Sequence, residues 1–263
     1  MKLRSIFFPV AIAFVSVSAF ASDANNFVLV SSSNGKVIGK AGYSISKAKE
    51  NFKVHSHFEY RMSTALLPKR PEPAPVPGQE KPYRPAMMME GQFAGEYTVD
   101  AQGNYVTGFI VDSTSNAMTS YSPNKARNNI NVSETQAGSV GNARDIEVPS
   151  PNFIFMPEFD PAALQVLMTA EIAHPHGNDP YLLVVPGGVM TYGGNVLLYV
   201  TIEPAKDTRT GTLDGKPVTL KHYILLFHAG RAEVFVDDTG NLMDAQFGPL
   251  GVDYIRSKFV LAP

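Results

Sequence analysis

The chain has 263 residues, no cysteine or tryptophan, and 24 acidic against 22 basic side chains, for a formal net charge of −2. Zero cysteine excludes disulfides, zinc–thiolate sites and cysteine nucleophiles, and the missing basic excess argues against general affinity for nucleic acid or anionic membrane. Charged residues are sparse, while 21 glycines and 20 prolines mark a turn-rich β composition.

Lys2 and Arg4 precede an apolar stretch from Ile6 to Phe20, broken only by Pro9, Ser16 and Ser18. Ala19-Phe20-Ala21 then places small residues at both positions a signal peptidase reads. This predicts a signal peptide over 1–21, cleaved after Ala21. The stretch is short for a span of about 20 residues, and no later segment suits a transmembrane helix. The expected product is an exported protein, periplasmic or secreted, without a transmembrane anchor and more acidic by the two charges lost with the signal.

Residues 22–263 read as a single β-rich domain. Phe27 to Val30 and Lys36 to Ser46 flank Asn34-Gly35, a strong hairpin signal because both turn residues tolerate positive φ. Phe52 to Met62 alternates, with Phe52, Val54, Ser56, Phe58 and Tyr60 on one face and Lys53, His55, His57, Glu59 and Arg61 on the other. The pattern then stops in a proline-rich loop insertion over 63–89, which cannot pair in a sheet and favours extended, solvated conformations. Strands resume at Gly91 to Val99, turn through Asp100-Ala101-Gln102-Gly103-Asn104, and return from Tyr105 to Val111. Tyr121 to Ala143 is polar, with room for short strands around Ile130 to Thr135. A helix starts at Asp160, a capping residue followed by Pro161, and carries Leu164, Leu167, Met168 and Ile172 on one face. It ends near His174-Pro175-His176-Gly177. Six further strands follow: Tyr181 to Val185, Asn195 to Glu203, Lys216 to Phe227, Arg231 to Val236, Asn241 to Phe247 and Val252 to Leu261. Short Gly turns join them as a meander, with no strict internal repeat. The expected fold is mainly β: a curved antiparallel sheet, a half-open β-barrel or meander, with one helix packed on its concave face.

This order runs from a hairpin with Asn34-Gly35-Lys36-Val37-Ile38-Gly39, through Phe153-Ile154-Phe155-Met156-Pro157 before the helix, to Val234-Phe235-Val236-Asp237-Asp238-Thr239-Gly240-Asn241-Leu242 and Tyr254-Ile255-Arg256. In pattern it resembles exported bacterial proteins of unassigned function whose fold is similar to the periplasmic lipoprotein carriers. The resemblance implies a half-open barrel around a helix, with acyl chains taken up between them. It implies no functional residues. The proline-rich insertion and the polar stretch from Ser122 to Ala143 depart from the pattern.

Candidate chemistry is thin. There is no Gly-x-Ser-x-Gly elbow. Pro186-Gly187-Gly188 and Tyr192-Gly193-Gly194 lack the following helix a phosphate cradle needs. Asp237-Asp238-Thr239-Gly240-Asn241 begins like a calcium loop but lacks its closing glutamate, so it reads as a hairpin turn. His55 and His57 project from one strand face, about 7 Å apart. With Glu59, His174 or His176 they would make a metal-dependent enzyme; with Lys53 and Arg61 beside them they read as a solvated face. Phe153, Phe155 and Met156 before the helix, Leu164, Leu167 and Met168 on it, and Met87, Met88 and Met89 after the insertion are the candidates for lining an adaptable apolar cavity. The reading is a non-enzymatic envelope protein without a cofactor that binds or carries an acyl chain or other apolar small molecule. The alternative is an envelope interaction protein whose partner docks on the sheet face or the proline-rich loop.

Overall fold

A computed structural model describes residues 25–63, 86–136, 139–157, 160–186, 196–228, 230–247 and 251–262. The expected signal peptide, the prolines of the insertion, the glycine pairs 187–188 and 193–194, Ala229, Gly248-Pro249, Glu158 and Phe159 lie outside the described residues.

Alternating apolar residues build two meanders. The first runs β1 (Asn25–Ser31), β2 (Val37–Ala48), β3 (Asn51–Ser63), β4 (Met88–Val99), β5 (Tyr105–Asp112), β6 (Ala117–Asn124), β7 (Asn129–Gln136) and β8 (Ser139–Glu147). Each pairs antiparallel with the next. β9 (Ile154–Phe155) and the helix α1 (Pro161–Ala173) follow. The second meander is β10 (Tyr181–Val185), β11 (Val196–Leu213), β12 (Lys216–Phe227), β13 (Gly230–Asp237), β14 (Leu242–Phe247) and β15 (Val252–Arg256). β1 pairs antiparallel with β15, which fuses the two meanders into one open sheet of 16 strands. β16 (Phe259–Leu261) lies against β11, and β9 adds to β10 in parallel.

The sheet must curve. β2 and β9 stand eight strand steps apart in the order, roughly 38 Å if flat at ~4.8 Å per step. Yet α1, 13 residues and about 20 Å long, packs against both of them and against β14. Far along the wrap, the Tyr105 N–H of β5 donates to the Phe153 carbonyl just before β9, at 2.9 Å. The helix therefore sits on the concave face, as expected.

Several local expectations are corrected. The polar stretch from Tyr121 to Ala143 contributes to three strands, because Tyr121, Ile130 and Val132 are buried at alternate positions while Ser and Asn face water. The insertion is shorter than 63–89: Ser63 and Met88 pair across β3 and β4, as do Met62 and Met89. The run from Val252 to Leu261 splits in two at Ser257 and Lys258, where Lys258 has φ +64°. The helix is not amphipathic: Pro161 to Met168 is buried without interruption, and Ile172 of the expected apolar face is the exposed one. Sheet covers the first two turns of that helix, so only Thr169, Ile172 and Ala173 near its end reach solvent.

Two turns with the pattern Asp-x-x-Gly-Asn hold the helix, at Asp100–Asn104 and Asp237–Asn241. In each, one aspartate oxygen accepts the N–H groups two and four residues on, and the other accepts the asparagine side-chain amide. Gly103 and Gly240 have φ +81° and +88°. A Cβ at Gly103 would stand 3.1 Å from Val166, 3.2 Å from Ile154 and 3.3 Å from Ala170, while one at Gly240 would stand 3.3 Å from Ile172. Gly103→Ala combines a strained backbone with a crowded helix contact and is expected to lose about 1–3 kcal/mol of stability in urea unfolding. A loss below half a kcal/mol would mean the helix moves away freely.

The convex face carries a second, smaller core. Leu220, Phe235, Met243 and Phe259 are buried there, flanked by Leu213, Val218, Ile255 and Leu261. β16 supplies Phe259, whose ring lies against Gly211; a Cβ at that position would approach it to 2.5 Å.

Candidate functional site

The interior around α1 is the candidate site. Phe153, Phe155, Met156, Leu164, Leu167 and Met168 are all buried in the main core. Phe155 stands among Tyr105 (ring centroids 4.5 Å), Tyr121 (4.8 Å) and Tyr97 (5.9 Å). All six residues the sequence singles out before and on the helix pack within 2% exposure alongside β10, whose five residues are buried on both faces.

Three polar side chains tie the helix to this apolar interior, each through a tyrosine hydroxyl. Tyr97 donates to Asp160 Oδ2 at 3.3 Å, Tyr43 to Gln165 Oε1 at 2.8 Å, and Tyr181 to Glu171 Oε2 at 3.0 Å. Gln165 is the most connected. Its Oε1 also accepts the Leu242 N–H at 2.8 Å, and its Nε2 donates to the Gly240 carbonyl at 2.9 Å and to Thr169 at 3.0 Å. Asp160 caps the helix by accepting the Ala162 N–H at 2.9 Å. Burial nonetheless pushes its carboxyl up to about 6, against the opposing pull of that N–H, of Ser56 and of Tyr97. The Ser56 hydroxyl lies near this carboxylate without a partner at bonding geometry. Burial likewise raises the hydroxyls of Tyr43, Tyr97, Tyr105 and Tyr181 above the usual tyrosine range. They act as neutral donors.

The two ends of the wrapped sheet differ. At the end carrying the two Asp-x-x-Gly-Asn turns, the inward side chains Tyr97, Val99, Val236 and Leu242 are buried, and Ile45 and Phe52 are half-buried beside them. At the opposite end Met89, Phe93, Ile110, Val196, Leu198 and Phe227 are only half-buried. The registers put all six on the inner face: Phe93 is opposite Phe58, Met89 opposite Met62, Ile110 opposite Gly95, and Phe227 opposite Val200, with Leu198 and Val196 two and four residues earlier on that strand. Phe58 and Phe93 stack at 4.9 Å. The apolar lining thus runs from the helix to these half-covered side chains, the mouth of the wrap. Of the methionine trio, Met89 packs against the main core, while Met87 and Met88 are exposed. Sequence reasoning missed Phe93, Ile110, Leu198 and Phe227. Their inward alternation was readable, but their partial exposure depends on where the wrap ends.

His55 and His57 do share the convex face. His55 Nδ1 lies 3.3 Å from Glu96 Oε2, beside a Lys53–Glu96 pair at 2.7 Å. His57 is held below the usual histidine range, first by burial, with Glu59 opposing and Lys40 reinforcing. His174 and His176 lie beyond the helix, with His176 stacked on Tyr181 at 4.0 Å. Among the described residues, no three His, Cys, Asp or Glu side chains are grouped so as to hold a metal ion, and no helix is long and apolar enough to cross a membrane. A convex-face cluster that the sequence did not signal joins Asp207, His222 and Glu233: His222 Nδ1 is 2.8 Å from Asp207 and Nε2 3.5 Å from Glu233, with the ring stacked on Phe235. Bonds from His222 and Arg209 hold the Asp207 carboxyl down at about 2. Its neighbours Arg209 and Arg231 complete an ion-pair chain across three strands.

No protein-family model matches the chain, and no curated protein or solved structure is similar to it.

Proposed function

We propose that this chain is a non-enzymatic, exported envelope protein that binds or carries a lipid-like, apolar ligand between sheet and helix. The observation that carries the reading is the mouth. A soluble core normally finishes its apolar lining under cover, whereas here Met89, Phe93, Ile110, Val196, Leu198 and Phe227 continue it, half-covered, to one end of the wrap. An acyl chain entering there would meet Phe58, Tyr60 and Met62 on the inner face before reaching the helix. The buried polar groups fit a binding rather than a catalytic role. The tyrosines are neutral donors, Asp160 is engaged as a helix cap, and the polar bonds tie the helix to its surroundings.

Native mass spectrometry of protein purified gently from an envelope fraction tests this. A co-purifying apolar molecule released by organic solvent is expected; a clean apo mass together with no uptake of added fatty acid would remove the reading. Phe93→Glu places a charge on the inner face of the mouth and is expected to weaken fatty-acid binding at least tenfold. Leu197→Glu, an exposed position on β11, is the control and should leave binding within twofold. Equal losses from both would place the ligand elsewhere.

A further inference from the structure

Methionine side chains are normally among the most buried. At the start of β4 they are not: Met87 and Met88 are 63% and 60% exposed. Their neighbour Met89 is half-buried and lies directly opposite Met62 of β3, which is 2% exposed. Directly opposed residues hold their Cβ atoms about 4.5–5.5 Å apart, so two thioethers face the same space on the inner side of the mouth. Met87, two residues before Met89, returns to that side if the strand's alternation is continued by one residue. Met88 pairs with Ser63 and points to the other face.

Thioether sulfur is a soft, weakly basic ligand that suits soft ions such as Cu(I) rather than calcium or magnesium. The chain has no cysteine to compete. The nearby carboxylate, Glu90, sits on the opposite face with Arg61 at 4.0 Å. Met62 and Met89 are held by packing, and Met87 is at the surface. Two opposed thioethers on the inner face, with the exposed Met87 two residues before Met89, match the three sulfur donors of a three-coordinate Cu(I) ion.

We infer that Met62, Met87 and Met89 form a Cu(I)-binding thioether site at the mouth of the wrapped sheet. It does not depend on the apolar-ligand reading. Leucine replaces methionine with little change of volume or apolarity, and the readout is copper itself, so the test is scored without reference to fatty-acid binding.

The test is anaerobic Cu(I) titration of the full chain against a chromogenic Cu(I) chelator. The unaltered protein is expected to withdraw one equivalent, with only sulfur scatterers around copper in X-ray absorption. Met62→Leu, Met87→Leu and Met89→Leu should each weaken retention at least tenfold, and Met88→Leu should stay within twofold. Met87 is exposed, so its variant tests the site without disturbing the core. Failure to withdraw Cu(I) from the chelator would overturn the proposal. So would nitrogen or oxygen ligands in the absorption spectrum, or a Met88→Leu variant as weakened as Met87→Leu.

Discussion

Gln165→Leu is expected to destabilise the protein by about 3–5 kcal/mol, the largest single effect of any substitution outside the apolar core. Leucine fills a similar volume and favours helix, so neither packing nor propensity accounts for a loss of that size. The amide serves four partners: the Tyr43 hydroxyl, the Leu242 N–H, the Gly240 carbonyl and the Thr169 hydroxyl. Removing it strands polar groups of β2, β14 and one Asp-x-x-Gly-Asn turn in the interior. Each buried group left unsatisfied costs about 1–3 kcal/mol, and partial relaxation of the exposed Thr169 lowers the total. Gln165→Glu keeps the acceptor for Tyr43 and Leu242 but loses the donor to Gly240, so a smaller loss is expected. Equilibrium denaturation by urea measures both. A Gln165→Leu loss under 1 kcal/mol would show that the helix is held by apolar packing alone.

Asp244→Asn is expected to stabilise the protein by roughly 2–3 kcal/mol at pH 7 and to have almost no effect at pH 4. Asp244 pairs with Phe235 and Ile255, so its side chain lies at the margin of the convex-face core. It is 5% exposed, and its Oδ1 has no hydrogen-bond partner. Burial pushes its carboxyl from 3.8 up to about 6; the Asp253 charge adds to this, while Gln246 and the Ala245 N–H oppose it. With a folded value above the unfolded one, the native state binds more protons between the two. Stability from this group is therefore greatest below about pH 4 and falls as pH rises towards 6, by roughly 3 kcal/mol for a shift of about two units. Asp160 has the same sign and the same window. Asp237 acts oppositely. Burial raises it, but bonds from Asn241 and Thr239 outweigh burial and leave it below the usual range. Its stabilisation is present above 3.8 and lost as pH falls through its folded value. Unfolding should thus show a stability maximum on the acidic side of neutral, and Asp244→Asn should flatten its neutral limb. Equal effects of the substitution at pH 4 and pH 7 would rule out the buried charge as the cause.

Much of the architecture was legible residue by residue. The alternation of Phe52 to Tyr60 against Lys53 to Arg61 reports which face of β3 is buried. Asp160 before Pro161 reports where the helix begins, and Asp237 to Asn241 reports a turn rather than a calcium loop. These signals are local, because strand alternation, capping and turn chemistry depend on neighbours within a few residues. The candidate lining Phe153, Phe155, Met156, Leu164, Leu167 and Met168 was legible for the same reason: apolar residues crowded at a strand–helix junction end up inside. Gln165 was not legible as a tie, since a glutamine on a helix ordinarily marks the wet face, and only the sheet curving over this part of the helix turns it inward.

The sequence by itself determined a cysteine-free antiparallel β protein with one capped helix and an apolar interior beside it. Only the tertiary structure decided that β1 pairs with β15 and joins the two meanders, and that β9 adds to β10 in parallel. It also decided that the helix lies against the concave face and that one end of the lining is only half-covered. Those outcomes rest on pairings between residues far apart in the chain, such as Leu29 with Tyr254. A period of two states which side of a strand is apolar and is silent on which strand lies next to it, so curvature, enclosure and the mouth follow from the closing of long loops rather than from any local pattern.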